Sequence, residues 1–577
     1  MSHPLSAAAL QLDRSLGDPG DPAQVLSYRR CAALDAHEEF PADACRELDR
    51  LGVPRYYVPV EAGGALDRYD RALQMLRVIA RRDLTVAIGH GKTFLGAACV
   101  WVGGSQQQRR DLGTAVAGGA VVSWALTERD HGSDLLAGEV TAVPEPGGYR
   151  LTGEKWLINN ATRGDLVCVL TRAGPEPGPR SFSVVLVDRR ALPDGSHQPL
   201  PAERLHGIRG ADISGIRFTG ARVAADALIG GAGEGLELVL KTLQLTRVLC
   251  TGLSLGAADH GFGLAMQYSR TQRRFGGTLA ELPQTRRILG RAAADLLLVE
   301  AVTIVAGRAV HALPAELAPI SAAVKYLVPT VVQRMLTALG DVLGARSLLS
   351  DDTFADGRFQ KLCRDHRLVG IFDGSTVVNL HALITQFPFL VRHRDRVDTA
   401  GLTAATDLAV DLPAFDPRLL VLLPRQGCSL VNALPALTQR LTGDPGTAAA
   451  AAHAAAVAAR AGEMSAAMQA LRPTARDQPP AAFRLAEDFA RCLAAAAAGH
   501  LWAANRGPVG AGPTAPLWSG GLWLEAVLTR LREQLEPGTE PGGDVYERLI
   551  AALQAQHAAG LTASLLPYPR IGSDDRG

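Results

Sequence analysis

The feature that most constrains this chain is a double change in hydrophobic period. From about Asp21 to Gly119 apolar residues recur three and four apart, as in Leu73-Leu76-Val78-Ile79, and Gly and Pro mark the loops. From about Val121 to Ile229 the texture is that of strands. Leu166-Val167-Cys168-Val169-Leu170 and Phe182-Ser183-Val184-Val185-Leu186-Val187 are short, β-branched and bounded by Gly/Pro clusters. Tyr149-Arg150-Leu151 reads as a strand running into a turn at Gly153. From Gly235 the helical period returns, predicting helices over Leu236 to Tyr268, Leu282 to Ala312 and Ala322 to Leu343. A helical, β, helical order is neither an alternating βαβ chain nor a simple bundle, so the expected fold is mainly α with a central β domain.

At 577 residues the chain is too long for one hydrophobic core. The textures divide it into a helical unit over 1–120, a β unit over 121–229, a second helical unit over 230–400 and an Ala-rich helical extension over 401–577. Alanine is the best helix former, so the runs around Ala448 and Ala494 predict packed helices. Leu524, Val527, Leu528 and Leu531 form one apolar stripe. The last residues, from Arg570 to Gly577, are expected to fray. Lys plus Arg number 59 against 58 Asp plus Glu, a balance that argues against bulk attraction to nucleic acid or anionic lipid. Eight cysteines stand singly, with no Cys-x-x-Cys pair, which excludes a zinc ribbon or disulfide framework and leaves no metal site to propose. With no basic, apolar leader at the N-terminus and no apolar run long enough for a membrane span, a cytoplasmic protein is expected.

Three segments carry chemistry. Trp124 to Asp134 (WALTERDHGSD) ends a strand in a Gly/Ser/Thr-rich turn, where small residues and free N–H groups can approach an electron-rich ligand. Gly153 to Asn160 (GEKWLINN) is a strand with an aromatic and two amides at its end. In Arg364 to Ser375, Asp373 is a lone carboxylate between Phe372 and Gly374 after an apolar run, a group suited to removing a proton next to a carbonyl. Read singly, each segment is also compatible with an ordinary turn or sheet edge.

Together they resemble the acyl-CoA dehydrogenase family, in order and spacing, across roughly residues 25 to 395. Trp124 to Asp134 is similar to the family's flavin-side signature, and Gly153 to Asn160 to its Gly-x-Lys-x-Trp-Ile-Thr-Asn strand. Thr246-Arg247 and Gly256-Ala257-Ala258 resemble its long helix, Tyr268 to Gly276 its Tyr-Ala-x-x-Arg-x-x-Phe-Gly element, and Ala323-Val324-Lys325 a further helix. Arg364-Asp365 and Ile371 to Ser375 sit where the family has Arg-Asp and Ile-Tyr-Glu-Gly-Thr.

The resemblance implies FAD at the junction of three domains, in a homodimer or homotetramer. Leu126, Thr127 and Asn159 would meet the flavin ring, and Leu157 takes the place of the stacking Trp. Ser133 would lie near the pyrophosphate or the substrate, and Ser375 would touch the flavin beside the base. A neighbouring subunit would supply Gln272, Arg274 and Phe275 and the segment Asp341 to Ser347. The implied reaction is α,β-dehydrogenation of an acyl thioester, on coenzyme A or an acyl carrier protein, with electrons passing to an acceptor such as an electron-transfer flavoprotein. The shape of the whole chain also resembles large bacterial members associated with polyketide or peptide biosynthesis.

In that reading Asp373 is the catalytic base. Thr246 stands where some members place a glutamate base, and Arg247 orients the helix or the site, or forms a structural salt bridge. Several positions depart from the family pattern. Asp373 is one methylene shorter than glutamate, Asn159 replaces Thr, Gln272 replaces Arg, and Asp341 puts an acid where the adenine and pyrophosphate would lie. A shorter base also suits a nitroalkane-oxidase-like flavin oxidase. A third possibility is a non-catalytic binding protein that contacts DNA through its extension. The extension's charges, with Arg460, Arg472 and Arg476 among Glu463, Asp477, Glu487 and Asp488, instead suit a solvated helix face. His90 and His131 are left outside the catalytic set.

Overall fold

The computed structural model describes residues 5–174, 178–472, 477–507, 514–536, 538 and 542–570. Arg476, the Gly/Pro stretch 508–513 and the tail 571–577 lie outside the described residues. The expected fray does not begin at Arg570, whose backbone N–H donates to Gly560 O at 2.9 Å and whose guanidinium meets His557.

The N-terminal helices include Tyr69–Arg82 and Leu84–Gly103. Asp83 separates them and caps the second, accepting from Val86 N at 2.9 Å. Leu73, Leu76, Val78 and Ile79 are all buried, as their spacing predicts. The strand-textured region forms one mixed sheet. Its spine is Gly148–Asn159, paired antiparallel with Thr141–Glu145 on one side and Ile213–Ala224 on the other. Leu166–Arg172 pairs antiparallel with Phe182–Asp188 and parallel with Val122–Ala125. Gly153 does not turn the chain. It sits at φ 128° inside the continuous strand, beside a register shift, where a Cβ would come within 3.0 Å of Val140 Cα. A second shift surrounds Leu157, at φ 53°.

Three long helices, Gly235–Thr271, Pro283–Ala312 and Leu317–Leu343, pack on one another, and the first two also pack against Tyr69–Arg82. Gly256 permits the closest approach, since a Cβ there would lie 2.5 Å from Arg77 O. The helix Gly235–Thr271 and the segment Pro314–Leu348 are long and apolar enough to cross a membrane, yet they are 89% and 83% buried within the protein.

The Ala-rich region forms the helices Ala448–Ala470 and Pro480–Asn505, and the stripe Leu524, Val527, Leu528, Leu531 is buried on Leu522–Leu535. Alanine lets these helices pack closely. Buried polar contacts then fix the extension to the rest. Glu316 accepts from Ser429 N and Oγ, both at 2.6 Å, and Arg530 pairs with Asp295 at 3.0 Å. Arg77, 1% exposed, bridges Asp259 at 2.6 Å and Glu300 at 2.7 Å. Ser564 Oγ and Leu565 N donate to the same Glu300 at 2.5 and 2.8 Å, while Tyr568 OH donates to Gln74 Oε1 at 2.9 Å. In the extension Arg460 pairs with Asp488 at 2.6 Å and with Glu463 at 3.1 Å.

Candidate active site

The site has a β side and a helical side. On the β side, Glu128 anchors the turn that follows Val122–Ala125. Its buried carboxylate accepts from the N–H groups of Glu139 and Val140 at 2.7 and 3.1 Å and from Lys155 Nζ at 2.8 Å. Burial opposes ionisation of Glu128, but Lys155 and the two N–H groups outweigh it and hold the carboxyl below its usual range. Lys155 also donates to Leu126 O at 2.9 Å, and Trp156 N donates to Thr127 O at 2.9 Å. These bonds bring Leu126 and Thr127 to the strand that carries Leu157 and Asn159. Both side-chain amide atoms of Asn159 are buried without a hydrogen-bond partner among the described residues, as is Trp124 Nε1. Leu157 is 39% exposed, and Ser133 lies exposed on the loop. His131 Nε2 lies 3.4 Å from Glu139.

On the helical side, Asp373 occupies the turn between Arg358–Val369 and Thr376–Ile384. It is held at φ 56°, a conformation that Asp and Asn tolerate better than most residues, and Gly374 follows at φ 97°. Asn379 Nδ2 fastens the turn by donating to Gly374 O at 2.7 Å and Ser375 O at 3.0 Å. Ser375 caps the following helix, accepting from Val378 N at 3.4 Å.

The Asp373 side chain is 8% exposed and lies 3.3 and 3.4 Å from Lys92 Nζ, itself 3.8 Å above the Phe372 ring. The Cys250 thiol donates to Asp373 at 3.5 Å. One turn away on the same helix, Arg247 is buried with no hydrogen-bond partner among the described residues. Its Nη2 lies 3.6 Å from where a Cβ on Gly374 would be. Lys325 approaches from Leu317–Leu343 and donates to Val369 O at 2.5 Å. Burial pushes the Arg247 guanidinium down to about 10, against the pull of Asp373 and Cys250. Burial likewise pushes the Cys250 thiol up to about 12 and holds Lys325 below the usual lysine range. Thr246 is buried and donates to Leu243 O of its own helix at 3.4 Å.

The remaining expected residues lie elsewhere on the chain. Gln272 follows the long helix, and Arg273–Arg274 pairs with Gly277–Thr278 in a small hairpin whose tip, Phe275, is 94% exposed. Asp341 is exposed and borders an open groove with Gly340, Ser347, Gln360 and Arg364. Arg364 and Asp365 hold the helical and β parts together through Asp35, His206 O, Lys361 and Ile208 N. His90 is satisfied by Tyr57 OH at 2.7 Å and Asp49 at 3.1 Å. Gly91 and Leu249, the neighbours of Lys92 and Cys250, line a small apolar cavity with Tyr57, Tyr69, Leu76 and Phe94.

Sequence reasoning missed Lys92, Cys250 and Asn379. Lys92 did leave a signal, as the one Lys, Arg, Asp or Glu in the otherwise apolar helix Leu84–Gly103.

Comparison with known proteins agrees with the fold. The acyl-CoA dehydrogenase N-terminal, middle and C-terminal domains match residues 26–120, 123–221 and 233–386. A probable acyl-CoA dehydrogenase, fadE25, of Mycobacterium leprae is 27% identical over 353 residues, covering 60% of this chain and 87% of its own. The Bacillus anthracis acyl-CoA dehydrogenase solved with FAD superposes with a TM-score of 0.67 at 18% identity, covering 96% of this chain, extension included, and 88% of its own. The prolyl acyl carrier protein oxidase AnaB superposes with a TM-score of 0.58 at 16% identity, covering 66% of this chain and 98% of its own. The chain belongs to the acyl-CoA dehydrogenase family of FAD-dependent oxidoreductases.

Proposed function

We propose that this chain catalyses α,β-dehydrogenation of an acyl thioester, with Asp373 as the acceptor of the α-proton. The observation that carries this reading is a buried carboxylate held by Lys92 and Cys250 in a strained turn, at the family's base position and next to an apolar cavity. Strain of this kind persists where the surroundings over-determine it, and it clusters at active sites.

The residues on the β side suit FAD. Asn159 offers a buried donor and acceptor with no partner among the described residues, which a flavin ring edge would satisfy. Leu126, Thr127, Leu157 and Ser133 would flank the group, with Ser375 on the Asp373 side. Gln272, Arg274, Phe275 and Asp341 would contribute from a second subunit, consistent with the outward-facing hairpin. FAD bound there supplies a two-electron acceptor for the β-hydrogen. The chain's own residues do the rest. Asp373 takes the α-proton on a carboxylate oxygen, Lys92 and Asn379 fix its position, and the apolar cavity excludes water from the acyl chain.

The thioester carrier is coenzyme A or an acyl carrier protein, and the likeness to AnaB brings the second into range. An electron-transfer flavoprotein would take the electrons onward. The aspartate at this position, one methylene shorter than glutamate, also favours a second reading, flavin oxidase chemistry on a smaller, more acidic carbon acid.

The test is the visible spectrum of the purified protein under anaerobic conditions, before and after adding acyl-CoAs and acyl carrier proteins. Bleaching by a thioester, with slow reoxidation by oxygen, is the expected result. Fast reoxidation moves the assignment to an oxidase. A protein that stays colourless after FAD is supplied overturns both.

A further inference from the structure

The wall of the apolar cavity is backed by the extension. Tyr69, fully buried, lines that cavity with Phe94 and Leu249. Its hydroxyl donates to Leu245 O at 2.6 Å, and its ring lies 5.8 Å from that of Phe94. On another side the ring of Phe415, itself buried, lies 5.8 Å from Tyr69. Phe415 is outside the cavity lining, so Tyr69 stands between the cavity and an extension residue.

The segment 407–421, which carries Phe415, is fastened to the helical core by three side chains. Tyr69 N donates to His311 Nε2 at 2.9 Å, which leaves the imidazole proton on Nδ1 to donate to Pro413 O at 2.9 Å. Burial holds His311 below the usual histidine range, so the ring stays neutral and can accept on one side while it donates on the other. Arg308, fully buried, donates to the carbonyls of Ala404, Asp407 and Val410 at 2.8, 2.7 and 2.8 Å. Gln244, on the same helix as Arg247 and Cys250, donates to Val421 O at 2.8 Å. All of these acceptors lie beyond residue 386, where the match to the family's C-terminal domain ends.

We infer that this strap belongs to the substrate site: Phe415, acting through Tyr69, sets how far an acyl chain can extend into the cavity. This rests on the dehydrogenase reading above and makes the extension a determinant of chain-length selection. Phe415 is a positioning residue, since it meets Tyr69 and not the acyl group. Protein interiors are close-packed, so the Tyr69 ring cannot retreat from a longer chain while Phe415 fills the space behind it. Truncating Phe415 opens a void into which the ring can move, and the cavity lengthens by that much.

The test compares butyryl-, hexanoyl-, octanoyl- and decanoyl-pantetheine, since pantetheine is common to coenzyme A and carrier proteins. Anaerobic flavin bleaching reports turnover, and calorimetric binding of the matching S-alkyl-pantetheine thioethers reports recognition separately. The wild type should discriminate against the longer members. Phe415→Ala should raise the first disfavoured member relative to the next shorter one by about tenfold or more, the scale of two methylenes admitted to an apolar site. Phe415→Leu should shift the preference less, and it carries the test if the alanine variant does not fold. A loss shared equally by all four lengths would make Phe415 structural and overturn the inference while leaving dehydrogenation intact. A wild type that takes decanoyl as readily as the shorter chains would overturn it too, since nothing would then limit the chain. No bleaching of flavin-loaded wild type by any of the four would remove the dehydrogenase reading and the inference with it.

Discussion

Replacing Asp373 by Asn tests the proposed chemistry with little disturbance of the fold. Asn tolerates the left-handed conformation at φ 56° as Asp does, so the turn and its Asn379 clamp should survive. Ala there would add backbone strain of about 1–2 kcal/mol and confuse geometry with chemistry. The substitution leaves Lys92, whose side chain is 12% exposed, without its anion. That should lower stability by about 1–3 kcal/mol, too little to unfold a core of this size. The chemical loss is larger. A positioned base contributes about 10²- to 10⁴-fold, equivalent to about 3–5.5 kcal/mol of barrier. The measurement is anaerobic stopped-flow reduction of bound flavin by whichever thioester bleaches the wild type, with flavin content and melting temperature recorded alongside. Loss of more than about 100-fold in the reduction rate, with flavin retained, is expected. A loss below about tenfold would show that Asp373 is not the base, and the ion pair with Lys92 would then be structural.

Three further outcomes follow from the same contacts. Arg77→Met strands Asp259 and Glu300, 3% and 0% exposed, and should cost about 3–5 kcal/mol in thermal or urea unfolding, with Arg77→Met/Glu300→Gln recovering part of it; strict additivity would refute the coupling. Burial holds the His260 and His366 imidazoles down to about 3 from 6.5, so the folded state resists protons that the unfolded chain takes up. Stability should therefore be fullest above about pH 6.5 and fall toward pH 3 by about 1.4 kcal/mol per pH unit for each residue, a slope that urea midpoints across pH measure and that His366→Gln should reduce. Phe275→Asp, at the exposed hairpin tip, should lower the mass seen by light scattering and release flavin; an unchanged mass would show that the hairpin does not seat in a second subunit.

The layout of the fold was legible because each region keeps one hydrophobic period over many residues. The helix Gly235–Thr271 and the strand Leu166–Arg172 follow from local pattern alone. Asp373 was legible because a lone acid in an apolar run is unusual. Its surroundings were not, since Lys92 meets it across 281 residues of sequence and Cys250 across 123. Periodicity carries no information about such pairings. Attention in that helix fell on His90, which is a satisfied core residue, and passed over Lys92 two positions on. Gly153 misled for a different reason. A strand glycine reads the same whether it ends the strand or relieves a close backbone contact inside it, and only the neighbouring strand decides. The unpartnered Asn159 amide could be read only once its neighbours were in place.

The anchoring of Glu300 sets an order of events during synthesis. This carboxylate is buried in the middle of Pro283–Ala312, yet two of its donors, Ser564 and Leu565, come 264 and 265 residues later. At about 5–20 residues per second, a ribosome needs about 10–50 s to cover that distance. Through that interval Arg77 is the partner at hand for Glu300, and the carboxylate's remaining acceptor positions stay with water. Residues that take no part in the chemistry thus complete the solvation of a charge in the half of the molecule that carries Asp373, and they arrive last.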